Sequence, residues 1–282
     1  MRSSFIVLLL FSAFVQASPK IQTWETDNGS NVFFVESHEL PMVDLQYIID
    51  AGSARDHDKP GLAVITNHLL AEGAAGKTVD EISLGFESLC AVYSNRAGYD
   101  SASVGVRSLS DPEKLDQAIN NLKDVLSRPD FPQKAFERER NRTMIGIQAK
   151  KQSPAAIAND AFYAALYEEH PYAKPNEGTE ESLKQLSIND LKSFHKKYYI
   201  ANGAIIAIVV DLSREQAETI ANRLSNSLPK GESLPVIPTV KSLSEAKTEC
   251  IEHPSGQMHI LVGQPGIKYG DPDYFALYVG NH

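Results

Sequence analysis

The chain has 282 residues, 42% of them hydrophobic and 22% charged. That is the balance of an ordinary globular protein with more length than one core usually organises. Its 36 acidic residues against 27 basic ones leave a formal charge of -9, which argues against a phosphate-binding surface, so no nucleic-acid partner is expected.

The first residues read as a targeting segment. Arg2 is followed by an apolar run over 5–15 and by Val15-Gln16-Ala17, a small-residue cleavage pattern, so a signal peptide over 1–17 is expected to be removed. The run is too short to span a bilayer, and no later stretch approaches the roughly 18 apolar residues a span needs. The mature protein is therefore expected to be exported without a membrane span: periplasmic in a Gram-negative bacterium, otherwise secreted. Cys90 and Cys250 are the only cysteines. An oxidising compartment permits a bond between them, and sequence leaves its geometry open. Sequons at Asn28 and Asn141 matter only in a eukaryotic secretory pathway.

Residues 31–37 and 43–50 read as strands around a Pro41 turn, a hairpin feeding a helix over 61–73. That stretch, GLAVITNHLLAEG, places Leu62, Ala63, Ile65, Leu69 and Leu70 at helical spacing, with Pro60 at its entry and Gly73 as its stop. It carries one polar pair, Asn67 and His68. A second helix is expected over 79–89, then strands over 91–95 and 101–108 around Gly98. Asp111 and Pro112 cap a helix running to Leu126. A charged amphipathic helix follows over 136–151, its Glu and Arg alternation reading as a solvated face. Further helices are expected over 154–169 and 189–199, and a buried strand over 204–210.

The stretch 228–240, LPKGESLPVIPTV, is rich in Pro and Gly and lacks hydrophobic period, as a linker does. Beyond it, 259–263, Gly266 and 271–282 repeat the earlier order of strand, Gly loop and helix. A tail of that length cannot bury its own core, so the sequence reads as the first part of a longer polypeptide. The expected organisation is a domain over 18–231, a linker over 232–243 and the beginning of a second, similar domain over 244–282.

A lone His on an apolar helix is more often structural than a ligand. The frame Gly61-Leu62-Ala63-Val64-Ile65-Thr66-Asn67-His68, however, resembles the zinc helix of the insulinase/pitrilysin (inverzincin) family of metallopeptidases, Gly-x-Ala-His-x-x-Glu-His. Positions i, i+3 and i+4 share one helix face, so two imidazoles can hold a metal while a carboxylate acts on its water. Here Val64 has no donor, Asn67 has no basic carboxylate, and only His68 keeps its type. FERER over 136–140, followed by an apolar run, resembles the segment carrying the family's third zinc ligand, a Glu whose best match here is Gly146. The run from His170 to Gly231, HPYAKPNEGTEESL through LKSFHKKYYIANGAIIAIVVDLS, is similar to the same family.

The resemblance implies an α+β fold, a mainly antiparallel sheet backed by helices, repeated along the chain. It also implies a degenerate, non-catalytic subunit with no zinc of its own, paired with a zinc-bearing homologue as an exported heterodimeric peptidase. Such a subunit closes the proteolytic chamber and can supply an Arg and a Tyr for substrate from its second domain, beyond residue 282. Substrate peptide is expected as an added strand against a sheet edge near the zinc helix, placing Asn95, Ser101 and Ser103 as binding positions. The alternatives are an interaction or scaffold protein of the same fold, and a peptidase with rearranged ligands. His170, His195, His253 and His259 form no local ligand motif with His68. No Gly-x-Ser-x-Gly elbow and no Gly-rich phosphate loop is present.

Overall fold

The computed structural model describes residues 20–281, so the expected signal peptide over 1–17 lies outside the described residues. Strands β1 (Gln22–Glu25), β2 (Asn31–Glu36) and β3 (Met42–Ile49) lead into helix α1 (Leu62–His68). A two-stranded ribbon, β4 (Gly73–Ala74) and β5 (Lys77–Thr78), precedes helix α2 (Val79–Glu87). Strands β6 (Val92–Ala97) and β7 (Ala102–Leu109) follow. Then come α3 (Pro112–Ser127), α4 (Gln133–Lys150), α5 (Pro154–Tyr167), α6 (Glu180–Gln185) and α7 (Ile188–Tyr198). Strand β8 (Ile205–Val210), α8 (Arg214–Ser225) and α9 (Tyr274–Gly280) complete the regular elements.

The main sheet has the order β1-β2-β8-β3-β7-β6, antiparallel except for the parallel pair β2 and β8. Period-two alternation sends one set of side chains to the core: Val32 and Phe34, Val43, Leu45, Tyr47 and Ile49, Val104 and Val106, Ile206 and Ile208. Against this face α3 presents Leu115, Ala118, Ile119, Leu122, Val125 and Leu126, a stripe at helical spacing. Its Asp111 side chain accepts from Lys114 N–H with Pro112 in the first turn, as expected.

Several expectations are corrected. Strands β2 and β3 are not a hairpin, because β8 lies between them. The connection crosses the end of β8, with Ser37 N–H donating to Val210 O and Asp211 N–H to Met42 O. Strand β8 is buried only on alternate residues: Ile205 and Val209 lie on the outer face, 36% and 49% exposed. Helix α1 stops at His68 rather than at Gly73, whose carbonyl is taken by Asp130 N–H in the neighbouring loop. Residues 259–263 form no strand. A strand needs a partner for its backbone N–H and C=O groups, and no strand pairs with this stretch among the described residues. Cys90 and Cys250 are both exposed and free. The Asn28 amide is occupied structurally, donating to Ser225 O and Leu228 O at 2.9 Å each.

Candidate functional site

Helix α1 is held at its start by a single carboxylate. Asp56, 4% exposed, accepts from Gly61 N–H and Ala63 N–H at 2.8 Å each, satisfying two of the donors that a helix N-terminus leaves open. Gly61 has φ 94, and a Cβ there would meet Glu177 O at 2.7 Å, so only glycine suits this entry. The helix packs against β6, β7, α4 and α7.

Asn67 is fully buried. Its Nδ2 donates to Ser103 O at 3.2 Å and to the Tyr199 hydroxyl at 3.3 Å, while its Oδ1 has no partner. The Asn67 carbonyl accepts from the Asn95 amide at 2.7 Å, tying the end of α1 to β6. Burial pushes the Tyr199 phenol well above its ordinary range, against the opposing pull of Asn67, and keeps it protonated.

His68 faces away from this cluster. Its Nδ1 lies 2.8 Å from Glu139 Oε1 on α4, and Arg142 Nη2 donates to the same oxygen at 3.0 Å. Burial pushes the Glu139 carboxyl up, but the His68 hydrogen bond and the charges of His68 and Arg142 outweigh it and hold its pKa below the usual value. Val64, 9% exposed, adds an apolar wall. Gly146 lies two turns beyond Glu139 on the same face of α4 but is exposed there, and an added Cβ would meet no heavy atom within 4 Å.

Zinc is the metal that this frame implies, and the side chains present do not fit it. Protein sites supply at least three donors. Here His68 and Glu139 are the donors that face each other. Val64 and Gly146 offer none, and Asn67 is fully buried among Ser103 and Tyr199, which its Nδ2 meets. Among the described residues no group of three or more His, Cys, Asp or Glu side chains is placed to hold a metal ion.

Glu139 was hidden in the sequence as part of a solvated charge run, yet it is 8% exposed. The available signal was helical spacing: Phe136, Glu139 and Thr143 share a face, and Phe136 is a core residue. His195, considered as a ligand, instead donates from Nε2 to Leu126 O at 2.9 Å and stacks on Tyr199. The expected peptide-binding residues take different places in the sheet. Strand β6 is the terminal strand of the sheet, and Asn95 sits on it, whereas Ser103 lies on β7 between β3 and β6 and Ser101 just precedes β7. An inner strand already has both neighbours, so Ser103 offers no edge.

A mainly antiparallel sheet backed by helices, with a helix of the zinc frame that keeps only His68 of its functional side chains, defines a degenerate insulinase-like domain. The profile described as Insulinase (Peptidase family M16) matches residues 32–180, more than half of the chain, and that described as Peptidase M16 inactive domain matches 185–282. The chain belongs to the insulinase family, peptidase family M16. A crystal structure described as a peptidase M16 inactive domain from Pseudomonas fluorescens is similar at 41% identity and TM-score 0.78, over 79% of this chain and 54% of that one. The non-peptidase homolog YmxG of Helicobacter pylori is 26% identical over 80% of this chain and 53% of its own length. An uncharacterized zinc protease of Rickettsia felis is 23% identical over 74% of this chain and 51% of its own. The chain thus spans about half the length of the curated relatives it matches. Among the described residues no helix is long and apolar enough to cross a membrane.

Proposed function

We propose that the protein is a non-catalytic subunit that binds no zinc itself and pairs with a zinc-bearing homologue in an exported metallopeptidase, helping to hold peptide substrate. The observation that carries this reading is the state of α1. Asn67 is sealed into the core where a catalytic carboxylate would have to meet water, and His68 is engaged by Glu139 and Arg142. The sheet and its helices are nevertheless retained around that helix. A fold kept without its chemistry is economically explained by a surface that serves an active partner. Peptide binding would use the β6 edge beside Asn95, since an extended chain can add there by backbone hydrogen bonds. The likeness to a non-peptidase homolog supports the loss of activity.

The test is coexpression of the full-length protein with a zinc-bearing homologue from the same compartment, followed by gel filtration, metal analysis and a peptide-cleavage assay. Coelution, one zinc per pair and raised cleavage are expected. Separate elution with unchanged partner activity would refute the pairing, and one tightly held zinc per chain of the isolated protein would refute the degenerate site.

A further inference from the structure

The stretch that reads as a linker does not leave the domain freely. Ala201 N–H donates to Pro229 O and Asn202 N–H to Lys230 O, both at 2.9 Å. Leu234 packs against the core. Beyond it, two side chains reach out to the linker backbone. Arg55 Nη1 donates to Pro235 O at 2.6 Å, and His170 Nε2 donates to Pro238 O at 2.8 Å.

Both donors are fixed in advance. The Arg55 side chain is 8% exposed, and its Nε and Nη2 are held by Asp50 at 2.9 and 2.5 Å, which aims the remaining arm of the planar fork at the linker. The His170 Nδ1 accepts from Tyr172 N–H at 3.2 Å, which leaves the proton on Nε2. The two donors rest on one support, the turn between β6 and β7. Ser53 and Ala54 donate their N–H groups to Gly98 O and Tyr99 O, and the Tyr172 hydroxyl is bonded to Asp100. The linker is suited to the spacing. Prolines fix φ, and an extended left-handed chain has three residues per turn, so carbonyls at 235 and 238 face the same side.

We propose that Arg55 and His170 form a two-point clasp that straps residues 235–238 across the loops feeding α1, so that linker freedom begins at Thr239 and release of the strap loosens the first turn of α1. The coupling is direct along the chain: Arg55 is followed by Asp56, the carboxylate that holds Gly61 and Ala63 N–H. This device is independent of whether the protein pairs with a peptidase. It places a conformational link between whatever follows the linker and the helix of the degenerate site.

The experiment is limited thermolysin digestion of the full chain with mass-spectrometric mapping, together with hydrogen exchange over residues 61–66. In the wild type, cuts are expected first among the exposed residues 258–262, with the 235–236 bond protected. When cleavage follows the open population, loss of one hydrogen bond raises its rate about five-fold. His170→Ala should therefore speed cleavage at 235–236 about five-fold. His170→Gln, which keeps a donor, should restore protection. Arg55→Lys combined with His170→Ala should speed cleavage about 25-fold and raise exchange at 61–66. Near-UV circular dichroism checks that each variant is folded. Wild-type cleavage at 235–236 as fast as at 258–262, or folded His170→Ala and His170→Gln variants both matching wild type, would overturn the clasp. Faster cleavage without faster exchange at 61–66 would overturn the coupling to α1.

Discussion

Restoring a carboxylate by Asn67→Glu should damage the fold rather than revive a site. The amide it replaces is fully buried and gives two hydrogen bonds from Nδ2, to Ser103 O and to the Tyr199 hydroxyl. A carboxylate can accept a hydrogen bond from the Tyr199 hydroxyl, but it faces the Ser103 carbonyl as acceptor against acceptor. The side chain is also one methylene longer in a packed position. An unpaired buried charge together with a lost donor costs ~3–5 kcal/mol. In a domain of about 200 residues this lowers Tm by about 6–20 °C. Asn67→Ala, which loses the bonds without adding charge, should cost about 2 kcal/mol. The sign with pH separates the two. Burial raises the folded pKa of the new carboxyl above its unfolded value, so the folded state binds more protons in that window and stability falls as pH rises through it. The gap between Asn67→Glu and wild type should widen from about pH 4 upward, whereas that of Asn67→Ala should stay flat. Thermal melts across pH 4–8 measure both. A Tm for Asn67→Glu within a degree of wild type at pH 8 would show that position 67 reaches water, and would refute the burial argument.

Gly146→Glu should be tolerated and even stabilise by roughly 0.5–1 kcal/mol, because its Cβ enters open space and glycine is a poor helix former, as a urea titration would show. Combining it with Val64→His supplies the two donors missing beside His68, and zinc titration should detect binding in that double variant and in neither single one. Glu139→Gln should lose about 1–2 kcal/mol at neutral pH, since the carboxylate meets both His68 and Arg142. The folded Glu139 pKa is depressed, so its contribution is complete above the unfolded value of about 4.3 and fades as pH falls through the folded one. Melts should therefore converge with wild type in acid. Asp56→Ala should cost about 2 kcal/mol and raise hydrogen exchange at Gly61 and Ala63, whose amides it accepts.

Most of the helices and strands were legible because their signals are local. Asp111 and Pro112 announced α3, and alternation announced β3 and β7. Helix α8 carries a slighter sign, the capping box that Ser213 and Gln216 form around its first turn, a signal four residues long. The frame over 61–68 disclosed which chemical groups are absent, since lost side chains are visible without coordinates. It did not disclose what replaced them. The Glu139 partner, the Asn67 contacts with Ser103 and Tyr199, and the inner position of Ser103 all join residues far apart in the chain.

Side-chain chemistry belongs to each residue, so the sequence by itself determined that α1 carries neither a second imidazole nor a carboxylate at the frame positions, and that α4 has no donor at Gly146. Strand order and burial belong to pairs of distant segments. Hydrophobic alternation says that β2, β3 and β8 each have an inward face, but it is silent on which lies beside which. Backbone hydrogen bonding, equal for every residue, does not choose either. Only the packed tertiary structure placed β8 between β2 and β3, brought Glu139 onto His68, and laid the Pro-rich stretch under Arg55 and His170. Each of these choices is made by the shared core that the segments bury together, a property that no local stretch possesses.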